Sequence, residues 1–387
     1  MKINVRLYRI VICFLACALL SGCWSSHELN ELGIVVGVGI DKAENDTVKI
    51  TAQVVKPGLI SSGGKSGGGS GDEAYANFEE TGRTVFAAIR GITNQSSRKM
   101  FFPHSQVLII GRSAAEDGIT KYLDFFMRDP GTRLNVYVLI AQNDATEILD
   151  TKSKLERVPA NSISLTLETE FRAASQEMDI RLRDFKERLQ LKTVAPVAPM
   201  IEVSEENGKK TAELNGTAVF KGDKLAGTLD KSESRGLMWV LGKVKSGIIE
   251  VECCEGNLVS IEIIRAKGEF SPELADGKVK IKVKVFAEGN IGEDTGTKDL
   301  SDLTQVAFLE QRGAEVIKSE IMAAFKKAKE LDADVFGFGE SVHQRYPKEW
   351  VSLEDKWDEI FGEIEVEAEV EMKLRLMGRI NAPAVPQ

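Results

Sequence analysis

Glu363-Ile364-Glu365-Val366-Glu367-Ala368-Glu369-Val370-Glu371-Met372-Lys373-Leu374-Arg375-Leu376 alternates charged and apolar side chains without a break. A two-residue period sends Ile364, Val366, Ala368, Val370, Met372, Leu374 and Leu376 to one face and the charges to the other. This predicts a half-buried strand with one wet face. Lys278 to Val285 repeats the pattern with the opposite sign: Val279, Ile281, Val283 and Val285 alternate with Lys278, Lys280, Lys282 and Lys284. Opposite charges across a strand pair attract and like charges repel, so the lysine row and the glutamate row (Glu365, Glu367, Glu369, Glu371) predict that these two strands are neighbours. Between them, Ser301 to about Leu331 carries Val306, Ile317, Ile321, Phe325 and Ala328 at helical spacing, one long amphipathic helix. Strands at Gly247 to Cys254 and Leu258 to Arg265 complete an antiparallel-type sheet with a long helix.

Upstream the pattern changes. Gly33 to Ile40 and Thr47 to Val55 predict a hairpin through the polar turn Asp41 to Asp46. Ser61 to Gly71 is glycine and serine with a single lysine, a composition that cannot repay ordering entropy and predicts a mobile surface loop. From Thr81 the spacing is helical, with Val85, Ala88, Ile89 and Ile92 on one stripe. A strand at Gln106 to Ile110, a helix at Thr120 to Met127, a strand at Leu134 to Ala141 and a short helix at Ala145 to Leu149 follow. Strands alternating with helices imply an α/β domain. Two helical patterns in Asn161 to Leu191, strands at Met200 to Val203, Ala212 to Phe220 and Lys224 to Leu229, and a helix at Ser232 to Leu241 predict a smaller α+β unit.

The expected organisation is therefore α+β / α/β in three consecutive mixed domains. Residues 1–22 form a signal peptide, 23–157 an N-terminal α/β domain with its Gly/Ser loop at 58–76, 158–243 a small middle domain, 244–378 a C-terminal α+β domain and 379–387 a tail.

The N-terminus decides location. Lys2, Arg6 and Arg9 precede an apolar run from Ile10 to Leu20, and Leu20-Ser21-Gly22-Cys23 closes it as a bacterial lipobox. The run is too short for a bilayer-spanning helix, which needs about 20 apolar residues. Cys23 is the expected lipid attachment site, carrying S-diacylglycerol and an N-acyl chain at the first position of the mature protein. Two acyl chains anchor stably where one binds only marginally. Losing Lys2, Arg6 and Arg9 with the signal moves the formal charge from −9 to −12. Such an acidic surface disfavours nucleic acid and anionic lipid as partners, leaving membrane binding to the acyl chains. Cys13 and Cys17 leave with the signal, so only the adjacent Cys253-Cys254 remains and no disulfide framework exists. Neighbouring strand residues face opposite ways, which suits ordinary thiols better than one chelated ion or a vicinal redox pair.

No catalytic, metal or cofactor constellation emerges. Gly64-Lys65-Ser66-Gly67-Gly68 matches G-x-S-x-G in form but lies in the Gly/Ser loop rather than on a strand-to-helix turn. A Walker A loop needs glycine where Leu59 stands. Gly37-Val38-Gly39 begins a dinucleotide fingerprint, but its third glycine position is Lys42. Glu79-Glu80, Glu205-Glu206 and the Glu363 to Glu371 ladder read as solvated faces rather than paired acids, and His104 and His343 as structural residues.

Cys23-Trp24, Glu28-Leu29-Asn30-Glu31-Leu32 and Val36-Gly37-Val38-Gly39-Ile40-Asp41 resemble the start of the Ger(x)C lipoproteins, the C subunits of spore germinant receptors. The resemblance continues through His104-Ser105-Gln106-Val107, Ile109-Ile110-Gly111, Arg128-Asp129 and Arg133 to Asp334-Val335-Phe336-Gly337-Phe338-Gly339, Trp350 and Trp357. It covers nearly the whole chain; the Gly/Ser insertion after Pro57 is the main departure. It implies a three-domain α/β lipoprotein on the outer face of the spore inner membrane. There it would assemble with two integral-membrane A and B subunits, without catalysis or cofactor. A solute-binding lipoprotein of a transporter is the rival reading, though that class has two similar lobes. An anchored cell-wall hydrolase is a further alternative without motif support.

Overall fold

The computed structural model describes residues 9, 31–60, 73–253, 256–275, 277–296 and 302–375. The Gly/Ser segment, the G-x-S-x-G match, Cys23, Cys254 and the C-terminal tail lie outside the described residues.

Two sheets organise the chain. The first has nine strands in the order β3-β2-β1-β5-β6-β7-β8-β9, with β4 also pairing β1. Its strands are β1 (Leu32–Ala43), β2 (Thr47–Val55), β3 (Tyr75–Gly82), β4 (Lys99–Phe101), β5 (Val107–Ile110), β6 (Tyr137–Ala141), β7 (Val197–Glu206), β8 (Lys209–Lys221) and β9 (Lys224–Leu229). The centre, β1-β5-β6-β7, is parallel, and both wings are antiparallel. The expected hairpin is present: Ile40 pairs with Ile50 and Ala43 with Thr47 across the turn. Helices α1 (Val85–Gly91), α2 (Arg112–Asp117), α3 (Thr120–Arg128), α4 (Ala145–Leu149), α5 (Pro159–Ala173), α6 (Leu182–Gln190) and α7 (Lys231–Val240) surround it. Every residue of β5 and β6 is buried, as a parallel strand covered on both faces requires. Val107, Ile109 and Leu139 pack towards α4 and α5, while Leu108, Ile110 and Val138 pack with Leu123, Phe126 and Phe185 of α3 and α6.

The three strands expected in the middle unit do not form a sheet of their own. β7 pairs in parallel with β6 (Ile140 with Met200), so segment 158–243 continues the N-terminal sheet.

The second sheet has the order β10-β11-β12-β13, with β10 (Gly247–Glu252), β11 (Leu258–Ala275), β12 (Lys278–Asp294) and β13 (Glu365–Leu374). The lysine and glutamate strands are neighbours, with Lys280 opposite Glu365, Lys282 opposite Glu367 and Lys284 opposite Glu369. Cross-strand ion pairs join Lys280 to Glu367 at 2.8 Å and Lys284 to Glu369 at 3.4 Å. Three strands are antiparallel as expected, but β13 runs parallel to β12. A parallel return needs a long crossover, and the chain makes it through α8 (Leu303–Glu330), α9 (Phe338–Arg345), α10 (Pro347–Leu353) and α11 (Trp357–Glu363).

Helix α7 lies where the two sheets meet. Asp230 accepts from Glu233 N at 2.8 Å and the Glu233 carboxylate accepts from Asp230 N at 2.9 Å, a capping box that fixes its start. Every residue from Ser234 to Val240 is buried. One contiguous core runs from Val38 and Phe220 of the first sheet through Trp239 to Ile261, Val283 and Phe325 of the second half.

Candidate functional site

The described residues that carry the family-like motifs do local structural chemistry. Asp41, at the end of the Val36 to Asp41 run, is buried, and its carboxylate accepts from Ala145 N (2.7 Å), Thr146 N (3.0 Å) and Thr146 Oγ1 (2.9 Å). The two amides are orphan donors at the first turn of α4, so Asp41 caps a helix that is remote in sequence. Burial raises its pKa, and the three bonds oppose that shift. Gly111 is needed beside it, because a Cβ there would overlap Asp41 Oδ1. Gly37 and Gly39 serve packing: a Cβ at Gly37 would lie 2.7 Å from Ala160 Cβ, and one at Gly39 would lie 3.2 Å from Leu149. The Gly-Val-Gly pair lets α4 and α5 approach β1, and it sits in the hairpin expected for it.

Asp334-Val335-Phe336-Gly337-Phe338-Gly339 forms a second node. Gly337 N, Phe338 N and Gly339 N donate to the buried Asp334 carboxylate at 2.8, 3.1 and 2.8 Å, and Trp357 Nε1 adds a bond at 3.2 Å. Gly337 has φ +77°, the left-handed conformation that turns the chain into α9. A Cβ at Gly339 would come within 2.8 Å of both Thr193 and Trp357. Burial pushes Asp334 up to about 6 against the lowering effect of its donors. Trp350 packs against Trp357 at 5.3 Å and against His343 at 5.6 Å, so this His reads as part of a ring stack, with Glu340 Oε2 3.8 Å from its Nδ1. His104 is exposed beside Phe101, at 5.7 Å between rings.

Members of the acidic pairs are bound to cations or amides. Glu79 faces Lys49 at 2.8 Å, Glu80 accepts from Gln95 Nε2 at 2.8 Å, and Glu206 meets Lys154 at 3.1 Å. Among the described residues no group of three or more His, Cys, Asp or Glu could hold a metal ion. No described helix is long and apolar enough to cross a membrane. Cys253 is half-buried against the core.

Two buried polar sites escape sequence reasoning, since nothing in spacing announces them. Arg235 of α7 forms a bidentate pair with Glu320 of α8, Trp239 Nε1 donates to Glu320 Oε2 at 2.8 Å, and Arg235 Nη1 donates to Ile248 O at 2.9 Å. Glu177 is buried with Oε1 accepting from Gly216 N at 2.7 Å, while its Oε2 has no hydrogen-bond partner among the described residues. A groove of about 550 Å³ lies between α5, the Thr151 to Glu156 loop and β8, with Ser153, Ser162, Thr166 and Thr211 on its walls and Ile163 and Leu214 at its floor.

Comparison with known proteins places this architecture. The chain is 29% identical to Spore germination protein KC of Bacillus subtilis over 96% of both chains, and 28% identical to Spore germination protein A3 of the same species over 97% of this chain and 99% of that protein. The crystal structure of the GerBC protein shares the fold, with a TM-score of 0.58 at 19% identity over 87% of this chain and 96% of that one. A model of the spore germination protein N-terminal domain matches residues 25–203, and a model of the spore germination B3/GerAC-like C-terminal domain matches residues 215–378. With the two domains matched in order over most of its length, the chain belongs to the GerAC family of spore germination proteins.

Proposed function

We propose that this protein is the lipid-anchored, non-catalytic C subunit of a nutrient germinant receptor, held at Cys23 on the outer face of the spore inner membrane. It acts there with integral-membrane A and B subunits to trigger germination. The observation that carries the reading is the collinear match of both family domains, beginning at residue 25, just after the lipobox cysteine. The described site chemistry is consistent with it: the buried carboxylates at Asp41 and Asp334 are spent on backbone donors, which suits a rigid scaffold for protein contacts. The anchor depends on one thiol, so Cys23→Ala blocks lipidation and releases the protein from membranes of cells that lack the A and B subunits. Fractionation with a lipid-labelling assay tests this. A variant that stays with membranes washed at high salt, where electrostatic contacts are screened, or a wild type that takes up no lipid, removes the anchor. The receptor role is tested by deleting the gene and following nutrient-triggered germination, with co-purification of the membrane subunits. Unchanged germination in every nutrient, or no co-purifying subunit, removes that role.

A further inference from the structure

The net charge conceals a local exception. From Arg83 to Ala115 the sequence contains Arg83, Arg90, Arg98, Lys99 and Arg112 and not one aspartate or glutamate. Arg83, Arg90, Arg98 and Lys99 are exposed, and none has a carboxylate within ion-pair distance among the described residues. One of them, Arg90, lies over an aromatic cluster, and Arg98 and Lys99 precede the Phe101-Phe102 pair in sequence. Phe86 of α1 is 47% exposed, stacks on Phe125 of α3 at 5.5 Å between centroids, and carries the Arg90 guanidinium 5.0 Å from its ring centre. Phe125 in turn meets Phe102, which directly follows β4, edge-to-face at 6.2 Å. The acids at the margin are mostly engaged: Glu79 with Lys49, Asp124 with Arg128 and Glu80 with Gln95, leaving Glu31 exposed.

The position of this face gives it meaning. β4 pairs in parallel with the start of β1, Leu32 opposite Lys99 and Ile34 opposite Phe101. A side chain at Gly33 would begin 3.6 Å from Arg98 Cβ. Cys23 precedes Leu32 by nine residues, a stretch that spans at most ~32 Å. If Cys23 carries the acyl chains, as proposed above and on which this inference rests, Arg98 and Lys99 are held within that distance of the lipid headgroups. Basic side chains near an anionic leaflet gain electrostatic attraction, and an exposed aromatic ring carrying a guanidinium suits the headgroup boundary. We propose that the face bearing Arg83, Phe86, Arg90, Arg98 and Lys99 docks on anionic phospholipid and sets the orientation of the anchored protein on its membrane. The overall acidic surface then faces away from the bilayer.

The test uses lipidated full-length protein reconstituted with vesicles of phosphatidylcholine alone or of equal parts phosphatidylglycerol and phosphatidylcholine, read by flotation and by amide hydrogen exchange across 83–104. The acyl chains alone determine flotation on pure phosphatidylcholine. The docked face predicts slower exchange across 83–104 on the anionic vesicles only, reversed by salt as screening shortens the reach of the field. Arg98→Glu/Lys99→Glu should lose that protection and, in a protein with Cys23→Ala, lower association with anionic vesicles at least tenfold. Lys348→Glu/Lys356→Glu makes the same change of net charge on the C-terminal helices and should do neither. Equal exchange on both vesicle types, or identical behaviour of the two double variants, overturns the proposal and leaves this face to a protein partner, while flotation on phosphatidylcholine keeps the anchor. Flotation on anionic vesicles alone supports the face and removes the anchor; flotation on neither overturns both.

Discussion

At the scale of single residues, Glu177 shows how a buried group escapes a sequence reading and then governs pH behaviour. Nothing around Gln176-Glu177-Met178 distinguishes this glutamate from dozens that are solvated. Only the fold brings it under β8, where Gly216 N donates to one oxygen and the other has no partner among the described residues. Burial pushes its carboxyl up to about 9, with neighbouring Glu170 adding to the rise and Lys231 opposing it. An acid whose folded pKa lies above its unfolded one holds its proton in the native state while the unfolded chain gives its own up. Stability from this group is therefore greatest below about 4.5 and falls as pH rises towards about 9. Glu177→Gln mimics the protonated acid. It should raise stability at pH 8 by on the order of 2 kcal/mol, leave it nearly unchanged at acid pH, and flatten the decline. Urea denaturation across that range reads the difference; a variant that tracks wild type at every pH would show that Glu177 is ionised in the fold. Asp41 escaped in the same way: its sequence reads as the start of the polar turn to Asp46, whereas β1 continues to Ala43 and the fold buries Asp41 under α4.

Elements were legible where periodicity was uninterrupted. β12 and β13 announce themselves by strict alternation, and their charges even name each other as neighbours, though not that the pairing is parallel, which depends on the crossover through α8 to α11. β3 was hidden because it is an edge strand, partly exposed along most of its length, with no clean two-residue pattern. β11 runs ten residues beyond the expected Arg265, through Gly268 and Pro272. Gly268 reads as a strand end but serves a close approach, since a Cβ there would overlap Trp239 O. Pro272 is tolerated because β10 pairs only the first part of β11, leaving the rest as an edge. The exposed Lys280 and Lys284 pairs give an element-scale test. Lys280→Glu/Lys284→Glu sets like charges against Glu365, Glu367 and Glu369, so the melting temperature should fall at low salt and recover in part at high salt. Adding Glu367→Lys/Glu369→Lys should restore it. A double variant that melts like wild type at low salt would show that the charged rows do not select the pairing.

At the scale of the whole molecule, the sequence divides more readily than the structure does. The succession of strand and helix patterns suggests separate units ending near 157 and 243, yet hydrogen bonding crosses the first boundary through β6 and β7, and one apolar core crosses the second through α7. Long-range strand order is set by which helices cover which face, information that local patterns do not carry. The join at α7 is specific. Gly236 lies so close to α8 that a Cβ would overlap Glu320 O, and this approach lets the Arg235 guanidinium and the Trp239 indole reach the Glu320 carboxylate. Arg235 also bonds Ile248 O at the start of the second sheet, so one guanidinium ties α7, α8 and β10 together. A buried ion pair adds little over a well-packed apolar substitute, but removing one partner strands the other charge in low dielectric, at a cost of about 3–5 kcal/mol. Glu320→Ala should therefore destabilise by roughly that amount, and Glu320→Gln, which keeps an acceptor for Trp239, by less. Because the core is continuous, the loss should appear as a lower midpoint of one transition, with the near-ultraviolet signal of the buried tryptophans and the far-ultraviolet signal of both sheets moving together. Two separated transitions in Glu320→Ala, with the N-terminal sheet melting at its original temperature, would show that the halves fold independently and that α7 joins them only by proximity.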